Sequence, residues 1–214
     1  MKRLVIIGAG GFGREVLEWA LESEAFGREW EPAGFIDDRA DALQNSAGIG
    51  LPILGTTMAY EPRPDDIFII GIGQPRLRAE MRQRFAERGA EFARVIHKSC
   101  TIGRRVHLEP GVILCPGTTL TCDIAIGANT ALNLNCAVGH DAVIGEDCQI
   151  SSFCDITGYV RLGDRVLMGS RATVIPGKSV GDDTTIGAGS VVVSNIPGSV
   201  TVFGNPAKLL TKNT

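Results

Sequence analysis

No apolar run in this 214-residue chain approaches the roughly 18 residues that a helix needs to cross a bilayer. The N-terminus opens on the strand-like Leu4-Val5-Ile6-Ile7 with no signal-peptide cleavage region. Those absences predict a soluble, cytoplasmic protein with no membrane span. Charge of one sign is missing too: 21 Lys and Arg stand interspersed with 24 Asp and Glu. A nucleic-acid partner would show as a basic patch or stripe, and pairs such as Arg104-Arg105 read as a solvated edge. The six cysteines form no C-x-x-C, and no His stands at zinc-finger spacing. That argues against a disulfide framework and against a metal site. Histidine is scarce. His97, His107 and His140 are the only three, which narrows the candidates for proton transfer near neutral pH.

What the sequence does have is a period. Sixteen aliphatic residues stand six apart without a slip from Ile102 to Val192. A period of six fits neither a helix nor a flat two-faced strand. It is the signature of a solenoid of short strands. Three hexads make one triangular coil, so the column predicts a little over five coils, stacked about 4.8 Å apart in a prism roughly 25 Å long. Its core is continuous and built from neighbour-only contacts. Eight hexads carry glycine directly after the aliphatic, among them Gly103, Gly127, Gly139 and Gly169. Glycine tolerates left-handed backbone, so these glycines are expected to form the corners. Cys100, Cys136, Cys148 and Cys154 each stand two residues before a column aliphatic and are expected to be small buried filler. Cys115 and Cys122 fall outside that slot, and the pattern gives them no role.

The N-terminal part has a different rhythm. Leu4–Ile7, Ala33–Ile36 and Ile67–Ile70 read as strands, Arg14–Ser23 and Arg76–Arg88 as helices, and Phe92–Ile96 as a last strand before the solenoid. Alternation of this kind implies a parallel sheet, whose ligands bind beyond the carboxyl ends of the strands. The division is thus 1–96, a Rossmann-like α/β domain, and 97–214, the solenoid with its tail. Gly8-x-Gly10-x-x-Gly13 matches a dinucleotide fingerprint between strand and helix. The domain is too short for two mononucleotide halves, so the motif reads as phosphate or nucleotide contact rather than NAD, or else as a tight glycine turn. Gly10, Gly11, Phe12, Gly13, Arg14, Asp37, Asp38, Gly71 and Gly73 are the candidate substrate-binding residues. Asp37-Asp38 is either a polar strand end or a partner for ribose hydroxyls or a base donor.

The repeated [LIV]-G-x-x-x-x pattern resembles the hexapeptide-repeat acyltransferases, whose fold is a left-handed parallel β-helix. The ending Val202-Phe203-Gly204-Asn205-Pro206-Ala207-Lys208 resembles that family's close to its coenzyme A groove. The short α/β domain and the join Val95-Ile96-His97-Lys98-Ser99 narrow the resemblance to sugar O/N-acetyltransferases, similar to the nucleotide-4-amino-sugar N-acetyltransferases of the bacillosamine and perosamine type. It covers essentially the whole chain. The resemblance implies acetyl-CoA as co-substrate without a metal, a homotrimer with the acyl donor in the cleft between subunits, and a product destined for surface polysaccharide.

The register orders the surface. Residues 18 apart occupy equivalent places on successive coils, so Cys122 lies below His140 and Gly158 above it. A neutral imidazole there can take the proton from an attacking amine, Asp141 can orient it, and the N–H of Gly158 can face an oxyanion. A solvated corner is the other reading of His140-Asp141. The resemblance favours the catalytic one, since the family's catalytic His followed by an acid aligns here. Similar enzymes often carry a second His nine positions on, against the acetyl group. Here that place is Gln149, an amide that donates a hydrogen bond but is no base. The resemblance also assigns backbone near Ser170 and Ala188 to the pantetheine arm and Lys208 to the nucleotide end of coenzyme A. His97 and His107 read as structural or exposed. The expected activity is N-acetylation of a nucleotide-linked 4-amino-4,6-dideoxy sugar. O-acetylation of sialic acid or a related sugar, and a non-catalytic nucleotide-binding solenoid, are the alternatives.

Overall fold

A computed structural model describes residues 1–44, 46 and 48–212 of the chain. The N-terminal part places β1 (Lys2–Ile7), α1 (Gly11–Leu21), β2 (Trp30–Ile36), β3 (Ile53–Gly55), β4 (Asp66–Ile70) and α2 (Pro75–Ala86) in sequence order. The four strands form one parallel sheet in the order β3-β2-β1-β4. Side chains alternate across a strand. Leu4 and Ile6 therefore join the buried cluster with Val16 and Leu17 of α1, while Val5 and Ile7 join the one with Met81 and Phe85 of α2. The sheet is covered on both sides, which is why its strands read as unbroken apolar runs.

From β5 (Val95–Ile96) onward the chain winds as a parallel solenoid with three faces. Face I runs through Leu114, Leu132, Ile150, Met168 and Ile186, face II through Leu120, Val138, Ile156, Val174 and Val192, and face III through Leu108, Ile126, Ile144, Leu162 and Val180. Partners along each face are 18 residues apart, as in Val138 with Leu120 and Ile156. The aliphatic column is the core: every member from Leu114 to Val192 is at most 3% exposed. At the open first coil, Leu108 is partly buried and Ile102 is 39% exposed, because no coil lies beneath them.

Two expectations need correction. Val95–Ile96 pairs with Ile113–Leu114, so this segment is the first rung of face I. Only Phe92 keeps a bridge to Phe68 of the N-terminal sheet. The corner glycines also play a different part. The left-handed residue of each hexad stands three places after the aliphatic, as at Asp141 (φ 59) and Gly177 (φ 71). The glycine directly after the aliphatic is required by close approach instead. A Cβ on Gly139 would stand 2.5 Å from the backbone N of Gly158, and one on Gly169 would stand 2.5 Å from that of Ala188. The next coil presses against the hydrogen that stands where a side chain would be.

The cysteine slot is filled as expected. Cys136, Cys148 and Cys154 are buried and Cys100 is half-buried. Their size is only part of the reason. The thiols of Cys136, Cys148 and Cys154 donate to the carbonyls of Ser151, Gly163 and Gly169, each at 3.1 Å, and the Thr130 hydroxyl in the same slot donates to Gly145 at 2.7 Å. At these four positions the slot holds a small donor that closes the next corner's carbonyl. Cys115, outside it, is buried where the α/β domain meets face I.

That junction combines an apolar cluster with buried polar pairs. Ile113 and Ala131 of face I share a cluster with Leu4, Ile6 and Trp30. α2 lies along the corner between faces III and I. Its fully buried Arg78 donates to the carbonyls of Ile70, Ile72 and Asn129 and to Asn129 Oδ1. Arg82 pairs with the buried Asp147 one coil on, and Arg76 with Asp183 two coils further. Burial lowers the Arg78 pKa to about 10, still cationic at neutral pH.

Candidate active site

His140 stands on the turn between Val138 of face II and Val143 of face III. Its Nδ1–H donates to Asp141 Oδ2 at 2.8 Å. An ionised carboxylate accepts only, so this bond puts the imidazole proton on Nδ1 and leaves the Nε2 lone pair free. Asp141 is available for this because the coil below is already paired. Arg105 takes both oxygens of Asp123, and Arg105 with the Cys122 thiol holds the Asp123 carboxyl down at about 2. The imidazole is half exposed and lies over Gly158. A Cβ on Gly158 would come within 2.8 Å of Nε2 and 2.9 Å of Cε1, and its three nearest neighbours are all His140 side-chain atoms. Gly158 is therefore the seat of the ring, itself buried. Its N–H donates to no backbone group among the described residues, while its carbonyl accepts from Gly177 N–H at 3.0 Å. Sequence reasoning missed Tyr159. Its ring stands edge-on to the imidazole, centroids 5.0 Å apart and planes at 89°. The signal was present, since Tyr159 is one coil above Asp141.

A second concavity of about 460 Å³ opens at the carboxyl ends of β1, β2 and β4. Gly10, Gly11, Phe12, Asp37, Asp38, Gly71 and Gly73 line it, as expected, together with Arg39 and Thr57. Gly13 and Arg14 do not. A Cβ on Gly13 would collide with the Gly8 carbonyl oxygen at 1.9 Å, so Gly13 is there for packing. Arg14 is half-buried in α1. α1 has no side-chain cap at its N-terminus and begins at the cavity with free N–H groups, whereas α2 starts on Pro75, which has no N–H to offer. Asp37 and Asp38 are already engaged. Asp37 accepts from Ala9 N–H at 2.9 Å and from the Arg39 backbone and guanidinium at 3.0–3.1 Å. Burial works against its charge, but the Arg39 and backbone hydrogen bonds prevail and lower its pKa. Asp38 accepts from the N–H and hydroxyl of Thr57 at 2.8 and 3.0 Å. Their visible task is to shape the loop and to hold the Arg39 guanidinium 3.9 Å from where a Gly10 side chain would begin. Arg39, read from sequence as nothing in particular, is the cation at the mouth.

The remaining candidates lie elsewhere on the prism. Ser170 and Ala188 are exposed at the corner between faces I and II. Lys208 is exposed at the start of the last strand, Lys208–Lys212. Gln149 points outward from face I yet is 5% exposed, and its Oε1 has no hydrogen-bond partner. It is on a different face from His140, so one chain does not bring the two together. Nor does one chain bring His140 to the α/β cavity. α2 is docked on the corner between faces III and I, and His140 on the corner between II and III, a whole face away. Six residues per face correspond to roughly 20 Å. Among the described residues no group of three His, Cys, Asp or Glu side chains is placed to hold a metal ion, and no helix is long and apolar enough to cross a membrane.

Known proteins share this architecture. The family model described as the PglD N-terminal domain matches residues 3–85. A mutant of perosamine N-acetyltransferase from Caulobacter crescentus, solved with CoA and GDP-perosamine, is 30% identical over 99% of this chain and 98% of its own, with a TM-score of 0.87. The chain belongs to the hexapeptide-repeat sugar acetyltransferases. It is an acetyltransferase of the bacillosamine and perosamine type, and its solenoid is the left-handed β-helix of that family. The acetyltransferase domain of PglB from Neisseria gonorrhoeae FA1090 is 28% identical over 98% of this chain and 100% of its own, with a TM-score of 0.89. It has also been solved with acetyl coenzyme A. WeeI from Acinetobacter baumannii AYE is 27% identical over 98% of this chain and 100% of its own, with a TM-score of 0.86.

Proposed function

We propose that this acetyltransferase moves the acetyl group of acetyl-CoA to the 4-amino group of a nucleotide-linked 4-amino-4,6-dideoxy sugar, with His140 as general base. The observation that carries the reading is the imidazole itself, with Nδ1 committed to Asp141, Nε2 unengaged and half exposed, and a glycine as its seat. The relatives solved with GDP-perosamine and with CoA or acetyl coenzyme A support the substrate pair.

The amine nitrogen attacks the thioester carbonyl carbon, its proton passes to His140 Nε2, and the C–S bond breaks. The imidazolium then returns the proton to the departing CoA thiolate, so base and acid are one group. Asp141 stabilises the imidazolium. The Gly158 N–H, free of backbone partners, faces the developing oxyanion. In the α/β cavity the uncapped start of α1 and the Arg39 guanidinium receive the diphosphate, with Asp37 and Asp38 setting the loop beside the nucleoside.

The cavity lies in the α/β domain and His140 on a corner of the prism a face away from where α2 docks, so the site is completed by a neighbour in a closed homotrimer. The cavity of one subunit then faces His140 of the next, and the exposed Ser170, Ala188 and Lys208 line the wall along which coenzyme A runs, whereas Gln149 is buried in its own chain. Such an enzyme acts in the cytoplasm, where acetyl-CoA and nucleotide sugars are made, and feeds surface polysaccharide assembly.

The test is thiol release from acetyl-CoA with a panel of UDP-, GDP- and dTDP-linked 4-amino sugars, with free sialic acid as the hydroxyl acceptor. Turnover of one amino sugar, lost by about 10²-fold or more in His140→Asn, supports the reading. Turnover of sialic acid alone replaces it with O-acetylation.

A further inference from the structure

The left-handed residue of each coil on the His140 corner forms a column: Arg105, Asp123, Asp141, Tyr159 and Gly177, with φ of 58, 57, 59, 62 and 71°. Glycine and aspartate accept that conformation readily, and the coil imposes it on bulky residues too, as at Phe153 (φ 62) on another corner. Tyr159 gains no core in return, being 60% exposed. Its backbone N–H donates to the His140 carbonyl at 2.9 Å, a bond that any residue there would make. What the side chain adds is the perpendicular contact with the imidazole. The left-handed corner itself belongs to the coil, and what is particular to Tyr159 is this edge-on ring contact with the imidazole whose Nε2 is unengaged.

We propose that Tyr159 is a positioning residue for His140. The Asp141 hydrogen bond fixes Nδ1 but leaves the ring free to swing about that bond. The Tyr159 ring is the second contact, and it holds the imidazole over Gly158 with Nε2 aimed where the acyl carbon is attacked. This inference rests on His140 being the base.

Three variants test it: His140→Asn, Tyr159→Phe and Tyr159→Asn, the last because Asn tolerates left-handed backbone. Tyr159→Asn lowers kcat by about 10-fold or more, since a small misplacement of a reacting group is costly. KM for both substrates stays within roughly twofold, as expected where only transition-state alignment is lost. The melting temperature is unchanged or higher, because Asn accepts the left-handed corner. Tyr159→Phe, which keeps the ring, restores kcat. The imidazole carbon–proton resonances, assigned to His140 by their absence in His140→Asn, move in Tyr159→Asn and stay in Tyr159→Phe. Wild-type kcat in Tyr159→Asn alongside an inactive His140→Asn overturns the proposal alone. So does a kcat loss that tracks a fall in melting temperature, or one that Phe does not repair. Full rate in His140→Asn overturns the base reading first and this proposal with it.

Discussion

Gly158→Ala separates a catalytic seat from a structural contact. The added Cβ would meet the His140 imidazole at 2.8 Å and no backbone atom among its three nearest neighbours. The ring must retreat by about 0.6 Å to reach ordinary contact, and it can, since half of the side chain faces solvent. Misplacement of a reacting group by about 1 Å costs on the order of 10²-fold, so kcat/KM is expected to fall by roughly 10- to 100-fold. The Gly158 N–H survives the substitution, so the loss reports on the imidazole. Stability should not suffer. The φ of Gly158 is not in the left-handed region, and there Gly→Ala gains about 0.4–1 kcal/mol through the unfolded chain. Gly139→Ala is the control on the same corner. Its Cβ would strike backbone, at 2.5 Å from Gly158 N and 2.7 Å from the Thr157 carbonyl carbon. Overpacking of that kind costs about 1–3 kcal/mol, or roughly 2–12 °C in Tm for a chain this long. Thiol-release kinetics and thermal melts on both variants make the comparison. Wild-type kcat/KM in Gly158→Ala, or a Tm loss equal to that of Gly139→Ala, would refute the seat.

Three further outcomes are expected. A 1:1 co-assembly of His140→Asn with Gly73→Trp, which fills the α/β cavity, should recover about a quarter of wild-type activity if each site takes its histidine and its cavity from different subunits of a closed ring. No recovery would place both in one chain. Arg78→Met should lose roughly 3 kcal/mol or more, because several buried acceptors lose their donor at about 1–3 kcal/mol each; Arg78→Lys should not restore it, since one ammonium cannot span the same carbonyls, and urea melts read both. Asp183 is held below its ordinary 3.8 chiefly by its hydrogen bond to Arg165. Its contribution is thus present above pH 3.8 and is lost as pH falls through the lowered folded value, so melts between about pH 4.5 and 2 should fall more steeply for wild type than for Asp183→Asn.

Much of this was legible because one period governs half the chain. The spacing of the aliphatics gave the coil, the coil gave the rung, and the rung put Gly158 over His140 and three of the slot cysteines deep in the core. What the period does not carry is dihedral angle. It marked the conspicuous glycines as corners, while the corners bend two residues later, at positions that Asp, Asn, Arg, Phe and Tyr together fill more often than Gly. β3 escaped notice because three residues are too few to show alternation. Arg78 read as one charge among many on a polar helix, since the carbonyls that make its burial tolerable come partly from Asn129, far along the chain. Arg39 is held by Asp37 two residues away, but the cavity it faces includes a glycine turn nearly 30 residues upstream, which its neighbours in sequence do not reveal.

The stacking of coils in strict register makes the prism a ruler with fixed graduations. Distance along its axis comes only in steps of about 4.8 Å, and each step costs 18 residues. A segment of 18 residues spliced between Pro176 and Ser194 would move Lys208 and the tail one graduation away from His140 while every face kept its outlook. A splice of six or twelve would carry the tail round to another face, and one that is not a multiple of six would break the column. Reach along the axis is therefore set by counting, and a longer span between two sites on one corner would come in whole coils and in nothing smaller.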